Sequence, residues 1–188
     1  MTRRWLLRNS ETAARFLRRL RPLAVLSASV LCCAAERPSE YDVKAAFLLN
    51  FTKFVEWPPA SFASADSPLA ICVAAPDPFG PVLDQMVEGE TVNGRKVVVR
   101  RIVENPSPGA CQVLYVGAAV KGAREALASV GSGVLTVGEG QRFLRDGGMI
   151  AFVIDNRRVR FDINQSAADS ASLRLSSKLL SVARVVEK

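Results

Sequence analysis

The sequence predicts an α/β fold: a mixed β-sheet flanked by helices on both faces, in one compact domain. Three observations carry this. Short β-branched runs alternate with helical segments up to about residue 148, and a hairpin pattern follows over residues 149–164. The hydrophobic share, 49% of 188 residues, is enough for one real core and argues against disorder.

The elements follow in order. Ser39, with Asp42 three residues on, is a capping box that starts a helix running to about Glu56. Val43, Phe47, Phe51, Phe54 and Val55 recur along it at helical spacing, so an aromatic, apolar helix is expected in the core or an interface. Trp57-Pro58-Pro59 stops it, because proline cannot continue the hydrogen-bond ladder. A polar loop leads to a strand over Leu69–Ala74. Pro76-Asp77-Pro78 turns the chain into a short helix over Phe79–Val87, and Gly89–Gly94 is a turn. Lys96–Val103 is a β-branched strand, Asn105–Gly109 a loop, and Gln112–Val116 a buried strand. Lys121–Val130 reads as a helix, Val134–Val137 as a strand and Gly140–Arg145 as a helix.

Gly147-Gly148 opens the hairpin, with strands Met149–Ile154 and Arg158–Asn164 about a turn at Asp155-Asn156-Arg157. In the return strand Val159, Phe161 and Ile163 alternate with Arg158, Arg160 and Asp162, as in a half-buried strand with its polar residues in water. A single amphipathic helix, Ser166–Val186, is expected to close the chain, with Ala168, Ala171, Leu175, Leu179, Val182 and Val186 on one face.

The formal charge of +7 is unevenly spread. Residues 1–35 carry seven arginines against Glu11, and residues 36–188 carry 18 basic against 17 acidic side chains. The basic surface that nucleic acid requires is therefore missing from the body of the chain. The N-terminus reads instead as a signal peptide, residues 1–35. A basic stretch precedes the apolar, small-residue run Pro22–Ala35, too short to span a bilayer, with Cys33 and Ala35 at −3 and −1 of the cut. An uncleaved anchor is the competing reading. Acylation of Cys32 or Cys33 lacks the small residues it needs. Arg3-Arg4 resembles a twin-arginine signal, but the apolar run starts well downstream, so the Sec route is expected. A mature, exported domain of residues 36–188 is expected.

Cleavage after Ala35 leaves Cys72 and Cys111. In an oxidising compartment they form one bridge with no choice of connectivity; two buried free thiols are the alternative. Neither lies in a CxxC pair.

The absence of histidine removes the Ser-His-Asp triad, the imidazole base and His-containing metal sites, and no D-x-D-x-D run offers a calcium loop. No cofactor or metal is expected. Gly138-Glu139-Gly140 begins a GxGxxG-like stretch, but Phe143 replaces the third glycine, so a plain strand-to-helix turn is the better reading. Asn50-Phe51-Thr52 and Asn164-Gln165-Ser166 fit the glycosylation pattern, with no use expected in a bacterial exported chain. Arg157, Arg158 and Arg160 form a basic edge, either a solvated face or a hairpin that pairs with a partner.

Several stretches together resemble one family, the YfiR-like periplasmic proteins. They are Tyr41–Phe51 with Phe54-Val55-Glu56-Trp57-Pro58, Ile71-Cys72-Val73 with Asp77-Pro78-Phe79-Gly80, Gly94-Arg95, and Cys111. Further on come Leu135-Thr136-Val137-Gly138, Phe143 with Gly147-Gly148-Met149-Ile150, Val159–Asn164, and Leu173 with Ser176–Leu180. The similarity covers nearly all of residues 40–184.

The resemblance implies a periplasmic regulator without catalytic activity. The best-understood member is a dimer that binds the periplasmic domain of a membrane-bound diguanylate cyclase and holds it off, keeping cyclic-di-GMP and biofilm formation low. A homodimer and such a partner are therefore expected, and the bridge matching Cys72–Cys111 maintains the fold. A second cysteine pair of the characterised type has no counterpart in Leu144–Asn156, which puts redox switching in doubt. Phe152 and Asn164 are expected at partner contacts, with a core aromatic as the alternative for Phe152. The competing function is a small-molecule sensor or adaptor acting on a histidine kinase or transporter.

Overall fold

The computed structural model describes residues 38–103 and 110–188. The expected signal peptide, residues 1–35, and the expected loop Asn105–Gly109 lie outside them. From Pro38 onward the chain forms one compact unit.

Helix α1 (Glu40–Phe54) starts on the expected box: Ser39 Oγ accepts from the Asp42 N–H, and Asp42 Oδ2 accepts from the Ser39 N–H. It stops two residues early, where Val55 turns extended into β1 (Val55–Glu56) ahead of the prolines. Lys44, Ala45, Leu48, Leu49, Phe51 and Thr52 are buried, whereas Phe54, expected inside, is 36% exposed. At 100° per residue it points away from the stripe through 45, 48 and 52.

Strand β2 (Leu69–Ala74) leads to α2 (Pro81–Val87), then to the short β3 (Thr91–Val92) and β4 (Arg95–Ile102). The expected turn is thus a hairpin, with Asn93 and Gly94 both at positive φ, as a two-residue connection requires. Next come β5 (Val113–Val116), α3 (Ala123–Ser129), β6 (Leu135–Glu139), α4 (Gly140–Arg145), β7 (Ile150–Asp155) and β8 (Arg158–Asn164). After β8 the expected long helix is four pieces: α5 (Gln165–Ser170), β9 (Arg174–Leu175), α6 (Ser177–Val182) and β10 (Val185–Glu187). The break has local causes. Ser172 takes φ +61°, Leu173 dives into the core at 1% exposure, and Ser176 Oγ caps a new helix at the Leu179 N–H.

The main sheet runs β10-β8-β7-β6-β5-β2-β4-β3, and β1 pairs with β9 in a separate ribbon. Strands β4, β2, β5, β6 and β7 are mutually parallel; β8 is antiparallel to β7, β10 parallel to β8, and β3 antiparallel to β4. One face carries Leu69, Ile71, Val113, Leu135, Ile150 and Phe161, packed with Leu48 and Phe51 of α1 and Leu83 of α2. The other carries Cys72, Leu114, Val116 and Ala151 under Phe143 and Leu144 of α4, with Ala123 and Leu127 of α3 partly buried against them. Helices on both faces of a mixed sheet are therefore the architecture.

One polar residue and one glycine stretch depart from the simple pattern. In β8, Asp162 was expected in water beside Arg158 and Arg160; it is 1% exposed because Arg184 covers it. The Gly138–Gly140 stretch is filled by protein. A Cβ at Gly138 would lie 2.4 Å from the Phe143 ring, and one at Gly148 2.1 Å from it. The glycines seat an aromatic ring where a phosphate cradle would need space.

Candidate functional site

At the C-terminal ends of β5 and β6, Glu139 Oε1 accepts from three side chains: Tyr115 Oη, Lys44 Nζ at 3.0 Å and Tyr41 Oη at 3.3 Å. Lys44, 2% exposed, also pairs with Glu40 at 2.6 Å, and its ammonium lies 4.5 Å from the Tyr41 ring centre. Burial alone would raise Glu139 and lower Lys44, but the hydrogen bonds and the ion pair win. Glu139 is held below the usual carboxylate range and Lys44 above its ordinary value. Burial and the neighbouring Glu139 push both Tyr115 and Tyr41 upward. Glu139 and Lys44 are thus held as an ion pair, and the two tyrosines as neutral hydrogen-bond donors to it. The network is a lock joining α1 to the sheet. Beside it a shallow cavity of about 320 Å³ is lined by Glu40, Lys44, Glu139, Gly140, Phe152 and Ile154. Among the described residues no cluster of acids or cysteines is arranged to hold a metal ion.

The hairpin β7–β8 lies next to this lock. Phe152 is 2% exposed, stacked on Phe51 at 5.9 Å and paired in register with Phe161. Its place is that of a core aromatic, and it also lines the cavity. Asn164 caps α5, its Oδ1 accepting from the Ala167 N–H at 2.9 Å. The exposed part of the hairpin is its tip. Ile154 is 56% exposed, Arg157, Arg158 and Arg160 are exposed, and Asn156 and Arg157 both take positive φ at the turn. Arginine at φ +60° occupies a position where glycine would be relaxed.

The C-terminal segment is held by one ion pair and the sheet. Arg184 Nε donates to Asp162 Oδ1 at 2.8 Å, Nη2 reaches Oδ2, and the Arg184 N–H donates to the Phe161 carbonyl. Cys72 in β2 and Cys111 just before β5 are joined in a disulfide, their Cα atoms 5.8 Å apart.

Sequence reasoning missed the Lys44–Glu139 and Asp162–Arg184 pairs. The signals present were a lysine inside an apolar helix and an aspartate between Phe161 and Ile163, both of which alone read as solvated.

The family model described as YfiR/HmsC-like matches residues 41–184. No curated protein matches the chain. Among solved structures, a conserved domain protein from Vibrio cholerae O1 biovar El Tor is similar with a TM-score of 0.44 at 12% identity, over 79% of this chain and 60% of that one. The chain thus spans less than two thirds of that protein's length.

Proposed function

The chain belongs to the YfiR/HmsC-like family, whose members are periplasmic regulators, and from that premise we propose that it binds the periplasmic domain of an inner-membrane diguanylate cyclase and represses it. The observation that carries the reading is the hairpin tip. Three exposed arginines and Ile154 stand on a rigid aromatic base, and one arginine is kept where the backbone would favour glycine. Such a surface suits contact with a protein and offers no chemistry of its own.

Repression would work by population shift. The regulator prefers the inactive conformation of its target, and about a 100-fold preference, roughly 2.7 kcal/mol, moves an even equilibrium to about 1% active. The reading includes export, with residues 1–35 removed and the Cys72–Cys111 bridge formed outside the cytosol, in keeping with the disulfide.

Deletion of the gene, with the cyclase expressed, is expected to raise cyclic-di-GMP. A chain carrying Arg157→Glu, Arg158→Glu and Arg160→Glu, present at the wild-type level, is expected not to restore repression. An unchanged cyclic-di-GMP level in the deletion strain would overturn the reading. The cavity beside Glu139 favours one alternative, a small-molecule sensor feeding a histidine kinase or transporter. A rise in melting temperature with a small cationic metabolite would turn the reading that way.

A further inference from the structure

The sheet ends on one side in a strand that is long, open and charged. At eight residues β4 is the longest strand among the described residues, yet its outer neighbour β3 pairs only with Arg95 and Lys96. The ladder fixes which groups face outward. Ala75 N–H donates to the Ile102 carbonyl, so residues 98, 100 and 102 point their backbone groups at β2. Val97 N–H donates outward, to the Glu90 carbonyl. By the same alternation the N–H and C=O of Val99 and Arg101 point away from β2, where no described strand receives them.

The side chains along this edge are basic and largely uncompensated. Arg101 is neutralised by Asp77 and Asp84. Lys96 and Arg100 are exposed, and among the described residues neither has a carboxylate partner; Arg100 donates to the Ala110 carbonyl. Arg95 lies 3.8 Å from the Phe62 ring centre and donates to the carbonyls of Ser64 and Ser67, again without a carboxylate. Natural proteins usually guard an open edge with short strands or charge. Here the charge decides what is admitted. A second copy paired antiparallel about Val99 would set Lys96 of one copy diagonal to Arg100 of the other, on both sides of the seam, which like charge opposes. A strand bearing carboxylates meets the same cations favourably.

We propose that the outer edge of β4 is a docking strand for an extended, acidic segment of a protein partner, bound by β-augmentation through Val99 and Arg101, with Lys96 and Arg100 selecting the charge. The proposal rests on the reading that the chain acts by binding another protein, and it places a contact on the side of the sheet opposite the hairpin.

The probe is an end-capped, fluorophore-labelled eight-residue peptide with glutamate at alternate positions and threonine between, set against the same peptide with lysine for glutamate. Fluorescence anisotropy on the purified protein is expected to give at least tenfold tighter binding of the glutamate peptide, weakening with salt. Val99→Pro removes an outward N–H, which an edge strand tolerates, together with part of a side chain packed on the core, and is expected to weaken that binding at least tenfold with the far-UV circular dichroism kept. Lys96→Glu with Arg100→Glu is expected to reverse the preference between the two peptides, which tests the edge independently of the proline variant. Equal binding of both peptides, no binding of the glutamate peptide at millimolar concentration, or a preference unmoved by the charge reversal would overturn the proposal. In cells the two readings separate. A deletion that raises cyclic-di-GMP, fully restored by the Val99→Pro chain, sinks the edge and spares the regulator. A deletion without effect sinks the regulator, and the peptide still decides the edge.

Discussion

At 2% exposure Lys44 keeps its charge only because Glu40 and Glu139 lie 2.6 and 3.0 Å from its ammonium. Removing one member of such a pair strands the other in a poorly solvated place, so Lys44→Met is expected to cost about 3 kcal/mol of folding stability. Replacing both, with Glu139→Gln added, should recover much of it; urea unfolding of the two variants checks the difference. The same carboxylate sets an acid limit. Its folded-state pKa lies below the ordinary value, with burial opposed by hydrogen bonds from Tyr115 and Lys44. Its contribution is therefore complete above the unfolded value of about 4.3 and lost as pH falls through the lower, folded one. Stability measured at about pH 7 and about pH 3 should fall less in Glu139→Gln than in the native chain. Neither partner of this pair was legible in advance, because 95 residues separate them and only the fold brings Glu139 over α1.

Among the elements, those bounded by their own chemistry were readable from the chain. The strand Leu69–Ala74 sits between a polar loop and a proline turn, and the helix Gly140–Arg145 between a glycine and Asp146; both appear at the bounds read from sequence. The segment after Asn164 was not readable, because its apolar residues recur at a spacing that suits one amphipathic helix. The tertiary burial of Leu173 and the cap at Ser176 divide it. What then keeps β10 on the sheet is the Asp162–Arg184 pair and three residues of parallel ladder. Asp162→Asn is expected to loosen that strap locally. Amide exchange at Val185, Val186 and Glu187 should quicken several-fold while Ile71 and Leu114, in the central strands β2 and β5, stay protected. Equal loss of protection in β2 and β10 would mean that the strap and the core open as one unit.

For the whole molecule the disulfide matters through what it encloses. Cys72 and Cys111 are 39 residues apart, and the loop between them contains α2, β3 and β4, the end of the sheet that lies beyond β2. That end joins the rest mainly through the β2–β4 ladder and the packing of α2 on α1. Closing a loop of this length removes conformational freedom from the unfolded chain worth about 4 kcal/mol. A domain of this size has a net stability of only about 5–15 kcal/mol. Cys72→Ala with Cys111→Ala should therefore leave the chain folded but lower its urea midpoint by the equivalent of about 4 kcal/mol, with unchanged far-UV circular dichroism. A reducing agent added to the native chain should lower the midpoint by a similar amount, because Leu144–Asn156 supplies no second bridge that could also be reduced. If reduction shifted the midpoint far more than the double substitution does, the loss would come from free thiols left inside the core. The chain-entropy account of the bridge would then fail.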